Sequence, residues 1–298
     1  MVMNLAARPT QRLVLMLLFP LAVALGGCQD NAADPSSQIG TNPRLPALQQ
    51  YLLPPMHVAS VVGWKEAETP SVAPGLRIKA FATGLEHPRS LYVLPNGDIL
   101  VVESRSPGTE PVKRPKDIIM HWVESLVTGG SGPSNRITLL RDHDGDGVPE
   151  DRGVFLDNLN SPVGVALVGN DLYVANTDAI VRYPYTVGEN RITSAGTVLT
   201  PLPGGPINHH WTKSLVASPD GSLLYVGVGS NSNITENGIL AEKDRASILE
   251  VERATGRSRI FASGLRNPNG LSWEPQTGAL WTVVNDAIKS APIWCQII

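Results

Sequence analysis

Apolar residues come in short runs along this chain, and Gly, Asn, Asp and Pro break the runs at regular intervals. Gly84-Leu85-Glu86-His87-Pro88 leads into Leu91-Tyr92-Val93, the turn residues Pro95-Asn96-Gly97-Asp98, and Ile99-Leu100-Val101-Val102. Residues 158–162 open a second copy, with Gly169-Asn170-Asp171 as its turn and Leu172-Tyr173-Val174-Ala175 after it. The third runs from His210 through Leu215-Val216, Pro219-Asp220-Gly221 and Leu224-Tyr225-Val226-Gly227-Val228. The fourth joins Gly264-Leu265-Arg266-Asn267-Pro268, Leu271-Ser272-Trp273, Gln276-Thr277-Gly278 and Leu280-Trp281-Thr282-Val283-Val284. Short apolar runs bounded by turn residues are strands, and two of them across a tight turn make a hairpin. The last three copies recur about every 50 residues, the scale of a propeller blade. The pattern predicts an all-β fold, a β-propeller of about four blades from Gly75 onward. A β-sandwich, the rival architecture, does not predict one motif four times over.

Two stretches interrupt the repeat. Residues 105–134 form an insertion with Pro107, Pro111, Pro115 and the amphipathic piece Ile118 to Val127. After Val284 the segment from Asn285 to Ile298 leaves the repeat grammar and carries Cys295. Four blades would leave two sheet faces unpaired, an aggregation hazard, so the chain is expected to fall short of a closed propeller.

The N-terminus has its own logic. Arg8 and Arg12 precede the apolar run Leu13 to Leu25 and then Gly26-Gly27-Cys28. That is a secretory signal, too short to span a bilayer as a helix. Leu25-Gly26-Gly27-Cys28 resembles the bacterial lipobox, which implies a diacylglycerol on Cys28 and a chain held to a membrane surface without spanning it. The alternative is an ordinary signal peptide with an incidental cysteine. Gln29 after Cys28 favours the outer membrane, facing the periplasm. Residues 29–74, rich in Pro, Ser, Asn and Ala, read as a tether and lead-in segment. The expected organisation is therefore signal 1–28, tether 29–74 and propeller 75–298.

Composition narrows the function classes. With 42% hydrophobic residues the core is ample, and 17% charged residues with a net charge of -3 make no electrostatic case for nucleic acid. Two cysteines, Cys28 and Cys295, do not make a disulfide framework.

Three clusters carry candidate chemistry. Asp142, Asp144 and Asp146 fall at positions 1, 3 and 5 of a calcium-type loop, with Gly147 at position 6. Position 12 is Gly153 rather than Glu, so the EF-hand form fails, although Glu150 stands at position 9. A calcium-stabilised loop and a plain polar turn both remain open. His209 and His210 are adjacent before a predicted strand: a general base, a polar pair or an adventitious metal site. Arg266-Asn267 offers a guanidinium fork and an amide in one loop.

At these residues a family is recognisable. Residues 84–103, the phrase Tyr173-Val174-Ala175-Asn176-Thr177-Asp178 and Gly264-Leu265-Arg266-Asn267-Pro268-Asn269-Gly270 resemble the soluble pyrroloquinoline quinone (PQQ) sugar dehydrogenases, above all their sorbosone-dehydrogenase branch. The resemblance spans residues 75–286. It implies a six-bladed propeller with PQQ on its axis, held by calcium and basic side chains, that oxidises a sugar C1 or an aldehyde. Electrons would pass to a periplasmic acceptor of unknown identity.

It also implies roles for particular residues. His210 stands where the family has its catalytic base, in the pattern His-x-x-x-(Arg/Lys)-Leu, but the basic residue is Lys213, one place early. Arg266 and Asn267 would hold the quinone oxygens or a carboxylate, Lys213 would reach a PQQ carboxylate, and His209 would touch substrate. The plain alternatives are a loop Arg closing one blade on the next and a solvated strand-end Lys. The family's cofactor-side calcium ligands follow Leu-Trp-x-x-x-Asn, and the likeness stops at Asn285-Asp286. Two other readings stand beside this one. The first is a non-catalytic or inactive, shortened propeller lipoprotein. The second is a lactonase-type hydrolase whose metal is held by Glu103, Asn176 and Asp178, a chemistry with no role for Arg266-Asn267.

Overall fold

The four predicted hairpins form the inner halves of four consecutive antiparallel sheets. The structure, a computed structural model, describes residues 63–65, 68–108, 111–112, 118, 135–233, 235, 237–285 and 296–297. The signal with Cys28, most of the tether, most of the insertion and Cys295 lie outside the described residues. Among the described residues no helix is long and apolar enough to cross a membrane.

The first sheet contains β1 (Pro88–Val93), β2 (Ile99–Glu103), β3 (Arg136–Arg141) and β4 (Asp151–Leu156). The second contains β5 (Gly164–Val168), β6 (Asp171–Ala175), β7 (Ala179–Pro184) and β8 (Thr197–Pro201). The third contains β9 (Leu215–Ala217), β10 (Leu223–Val228), β11 (Ser247–Glu252) and β12 (Ser258–Ser263). In the fourth, β13 (Pro268–Trp273) and β14 (Leu280–Val284) are joined by β15 (Gln296–Ile297). Each sheet keeps its strands in chain order, every neighbouring pair antiparallel. β1 lies against β5, β5 against β9, and β13 against both β9 and β10. First strands of successive sheets are thus neighbours, which is the blade arrangement of a β-propeller.

One departure concerns the tail. The segment after Val284 breaks the repeat pattern, yet Gln296 and Ile297 pair with Val284 and Val283. Two residues without a turn signal are too short a stretch for periodicity to register.

Burial explains the strand sequences. Leu172 and Val174 of β6 point into the core shared with the first sheet, and Tyr173 and Ala175 into the core shared with the third. A strand covered on both faces has to be apolar throughout, and burying each such Leu or Val contributes on the order of 2 kcal/mol. The outer sheets differ. On β1, Leu91 and Val93 are 68% and 63% exposed, and on β14, Trp281 and Val283 are 51% and 45% exposed.

The sheets lock together near their inner strands. A Cβ on Gly227 of β10 would sit 2.5 Å from the Pro268 carbonyl and would overlap the Ser214 hydroxyl. That closeness lets Ser214 Oγ donate to Pro268 O at 3.1 Å. Trp273 Nε1 donates to Ala217 O at 2.7 Å, with Tyr225 edge-on to the same indole.

Candidate active site

In an antiparallel meander the start of the first strand and the end of the second meet at one end of the sheet. Polar side chains are buried there in every sheet: Glu103 in the first, Asn176 and Thr177 in the second, His210, Lys213 and Ser230 in the third, Asn267 in the fourth. The opposite ends are tight turns such as Leu94 to Asp98, closed by Leu94 N–H on Asp98 O at 2.8 Å. Four atoms at the polar end, Ser104 Oγ, Ser161 Oγ, Asn176 Oδ1 and Asn267 Oδ1, are buried without a hydrogen-bond partner among the described residues. Native proteins rarely leave such atoms unsatisfied without a functional reason.

His210 lies in the turn that leads into β9 and is 8% exposed. Its Nδ1 is 2.8 Å from Ser230 Oγ and 3.2 Å from Ser230 O, just beyond the end of β10. Asn267 approaches the same point of the backbone. A Cβ on Gly229 would come within 2.6 Å of Asn267 Oδ1 and closer still to His210 Cβ. Only glycine allows the two side chains to flank that point. Ser230 N–H donates to Arg266 O at 2.8 Å, and Asn285 N–H to Asn267 O at 2.9 Å. The fold therefore brings His210, Arg266 and Asn267 together.

The Arg266 guanidinium is committed in this arrangement. Its Nε and one terminal nitrogen donate to Asn233 O and Oδ1 at 3.0 and 2.9 Å, and the other donates to Asn285 O at 3.0 Å. It ties the loop after β10 to the end of β14, the structural alternative raised for it.

Lys213 is not a solvated strand-end lysine. It is fully buried, and its Nζ donates to Trp211 O at 3.0 Å. The Trp211 carbonyl also accepts from Thr177 Oγ1, which in turn accepts from Asn208 Nδ2. Asn208 Oδ1 accepts from Arg245, itself 8% exposed, whose other terminal nitrogen donates to Gly204 O. Two buried cations are thus linked through neutral groups alone. Burial pushes the Lys213 ammonium down to about 7, the Arg245 charge adds to this, and Asp178 opposes it. Burial also lowers Arg245, against the pull of Glu242. An anion between these groups would relieve both penalties.

His209 is half-buried beside His210 and donates its backbone N–H to Asn231 O at 3.1 Å. The hydrolase set fares worse. Burial raises the Glu103 carboxyl, but hydrogen bonds from Arg136, Thr138 and the Glu86 N–H outweigh it and hold the group below the usual range. Arg136 meets its Oε2 at 3.0 Å. Glu103 therefore serves the first sheet, while Asp178 is exposed.

The acidic loop joins β3 to β4, away from these strand ends. Carboxylate oxygens of Asp142, Asp144, Asp146 and Glu150 lie within 4.8 Å of one another. They also serve the loop itself: Asp142 accepts from Gly145 N–H and Gly147 N–H at 2.8 Å, Asp146 from Val148 N–H at 2.7 Å, and Glu150 from His143 N–H at 2.7 Å. Gly153 is part of β4, paired with Leu139, so no twelfth ligand comes from it. A cleft of about 470 Å³ between the first two sheets, lined by Asp157, Asn158, Tyr183 and Arg191, holds none of the predicted site residues.

Sequence reasoning missed Ser230, Arg245 and Trp211. The polar run Gly229-Ser230-Asn231-Ser232 directly after a buried strand was the available signal for the first. Arg245 has no local signal, because the fold alone carries it to Asn208. Trp211 is 9% exposed and lies 5.4 Å beneath the Arg89 guanidinium of β1.

Consecutive four-stranded blades make this a β-propeller, and their shared buried polar end is its candidate site. The chain belongs to the TrAA12-like family, whose sequence model matches residues 70–291. No curated protein sequence matches it. Among solved structures it is similar to the holo form of the pyranose dehydrogenase PQQ domain from Coprinopsis cinerea, with 21% identity and a TM-score of 0.55, covering 72% of this chain and 48% of that one. It is likewise similar to the calcium structure of the family AA12 carbohydrate-active enzyme from Trichoderma reesei, with 19% identity and a TM-score of 0.55, covering 73% and 50%. The chain thus spans about half the length of these proteins. At such identities the likeness establishes the fold.

Proposed function

We propose that this chain is a PQQ-dependent oxidoreductase acting on a sugar or a sugar-derived aldehyde, nearest in kind to the sorbosone dehydrogenases. The observation that carries the reading is the buried polar end where His210 and Asn267 flank Gly229, near two buried cations, Lys213 and Arg245, whose hydrogen-bond partners among the described residues are neutral. Those residues suit PQQ, a planar quinone bearing carboxylates: among the described residues Lys213 and Arg245 hydrogen-bond only to neutral groups, and Asn267 Oδ1 has no hydrogen-bond partner. Membership of the TrAA12-like family supports the same reading.

When bound, PQQ supplies the hydride acceptor. The chain's own contribution is positional and electrostatic. His210 takes the proton of the substrate hydroxyl at its imidazole, a step suited to a neutral ring near pH 7. Arg266 and Asn267 hold the quinone edge, with Arg266 exchanging its Asn233 and Asn285 contacts for the cofactor. Lys213 and Arg245 balance the carboxylates. His209 contacts substrate.

Under this reading calcium stabilises the 142–150 loop through Asp142, Asp144 and Asp146. Cys28 carries the lipid that holds the exported protein to the outer membrane, facing a periplasmic electron acceptor. A second reading, an inactive propeller lipoprotein, draws on the three hydrogen bonds that already occupy Arg266. Dye reduction by the full chain with PQQ, calcium and a panel of aldoses and aldehydes separates the two. Sugar-dependent turnover that needs PQQ supports the first, and PQQ binding without turnover supports the second. PQQ-independent lactone hydrolysis would support the lactonase alternative instead.

A further inference from the structure

We propose that Ser230 fixes the tautomer of His210, so that Nδ1 carries the proton and Nε2 the lone pair. The argument is a donor count. A serine hydroxyl has one proton to give. Ser230 Oγ lies 2.7 Å from Ser232 O, a carbonyl that can only accept. The hydroxyl proton is therefore spent on Ser232. The same Oγ is 2.8 Å from His210 Nδ1 and can meet it only as an acceptor. The Ser230 carbonyl, 3.2 Å from Nδ1, is also an acceptor. Two acceptors facing one ring nitrogen require a proton on that nitrogen, and a neutral imidazole then keeps its lone pair on the other.

The support for Ser230 is stiff enough to hold this choice. Glu242 accepts from the Asn231 N–H at 2.7 Å and the Ser232 N–H at 3.3 Å. Asn231 Nδ2 donates to Ile207 O at 2.7 Å, and Ser230 N–H to Arg266 O. The backbone from 229 to 232 is thus a strap, tied to His210 through Ser230 and to Arg266 through the Ser230 N–H. Ser230 acts through the imidazole and is a positioning residue. Its tautomer effect stands by itself, whereas its kinetic effect rests on the proposed role of His210 as base.

The test uses nitrogen-15 NMR of the full chain with labelled histidine and no cofactor, at about pH 8 where an ordinary imidazole is neutral. The resonances of His210 are assigned from their loss in His210→Gln. The expected wild-type signature is a protonated Nδ1 and a pyridine-type Nε2. Ser230→Thr keeps it, and Ser230→Ala moves the ring toward Nε2–H or a mixture. A wild-type ring protonated at Nε2 overturns the proposal, as does a folded Ser230→Ala with unchanged tautomer. In the PQQ assay, Ser230→Ala lowers kcat about tenfold to a hundredfold with KM changed less than about twofold, and Ser230→Thr restores most of the rate. A wild type without turnover but with the Nδ1–H signature would retire the base role of His210 and leave the tautomer assignment standing.

Discussion

The acidic loop 142–150 and the polar end of the inner strands both gather polar groups that invite a ligand, and they do so in opposite ways. The loop draws on one short stretch, is largely exposed, and spends carboxylate oxygens on its own backbone N–H groups. The strand ends draw on all four sheets, are buried, and among the described residues leave Asn267 Oδ1 without a hydrogen-bond partner and two cations bonded only to neutral groups. A loop that satisfies itself can exist without a ligand at little cost. A buried end that does not is destabilised until something fills it. Under the proposed function, the strand ends carry the chemistry and the loop a structural ion.

The largest expected effect is at His210. His210→Ala lowers PQQ-dependent turnover about 10²- to 10⁴-fold, whereas Asp144→Asn leaves kcat within about twofold. Equal losses in steady-state kinetics would erase the distinction between the two regions. Next comes packing. Gly229→Ala forces His210 and Asn267 apart and costs about 1–3 kcal/mol of stability, read from urea unfolding. Gly145→Ala in the loop meets no atom within 4 Å and costs about 1 kcal/mol, from its positive φ alone.

A pH series sharpens the contrast further. Native Lys213 loses its proton near 7, while the unfolded chain keeps it to the ordinary value of 10.5. The unfolded state therefore binds more protons across that window, and the Lys213 contribution to stability rises with pH from about 7 to 10. Below pH 7 its penalty is present in full, so Lys213→Met gains most over wild type there and the gap closes toward pH 10. A gap that widens with pH would contradict the buried-cation account. The smallest effect belongs to the loop: calcium at ten times its Kd raises wild-type stability by about 1.4 kcal/mol, and Asp142→Asn abolishes the increment. Calorimetric scans with and without calcium read it directly.

Much of the fold was legible from the hairpins. Apolar runs on both sides of Pro95-Asn96-Gly97-Asp98 or Pro219-Asp220-Gly221 leave few alternatives to antiparallel pairing, and the structure pairs Val93 with Ile99 and Leu224 with Ala217. The two-residue β15 was not legible, since it takes its pairing from β14 rather than from its own pattern. Site residues divide in the same way. His210, Arg266 and Asn267 sit in loops before inner strands, where a motif is visible. Lys213 reads as a solvated strand end, and only the packing of Trp211 and Thr177 over it makes it a buried cation. Ser230 and Arg245 matter through partners 20 and 37 residues away, a separation that no local pattern records.

The central claim is that the polar end of the inner strands binds an anionic quinone, and calorimetric titration of the full chain with PQQ at about pH 8, in two buffers of different ionisation enthalpy, tests it most directly. The account predicts saturable binding with net proton uptake, because the arriving carboxylates restore the Lys213 ammonium, and it predicts that Lys213→Met removes the uptake. Absence of binding, or binding with no proton uptake in wild type, would contradict it.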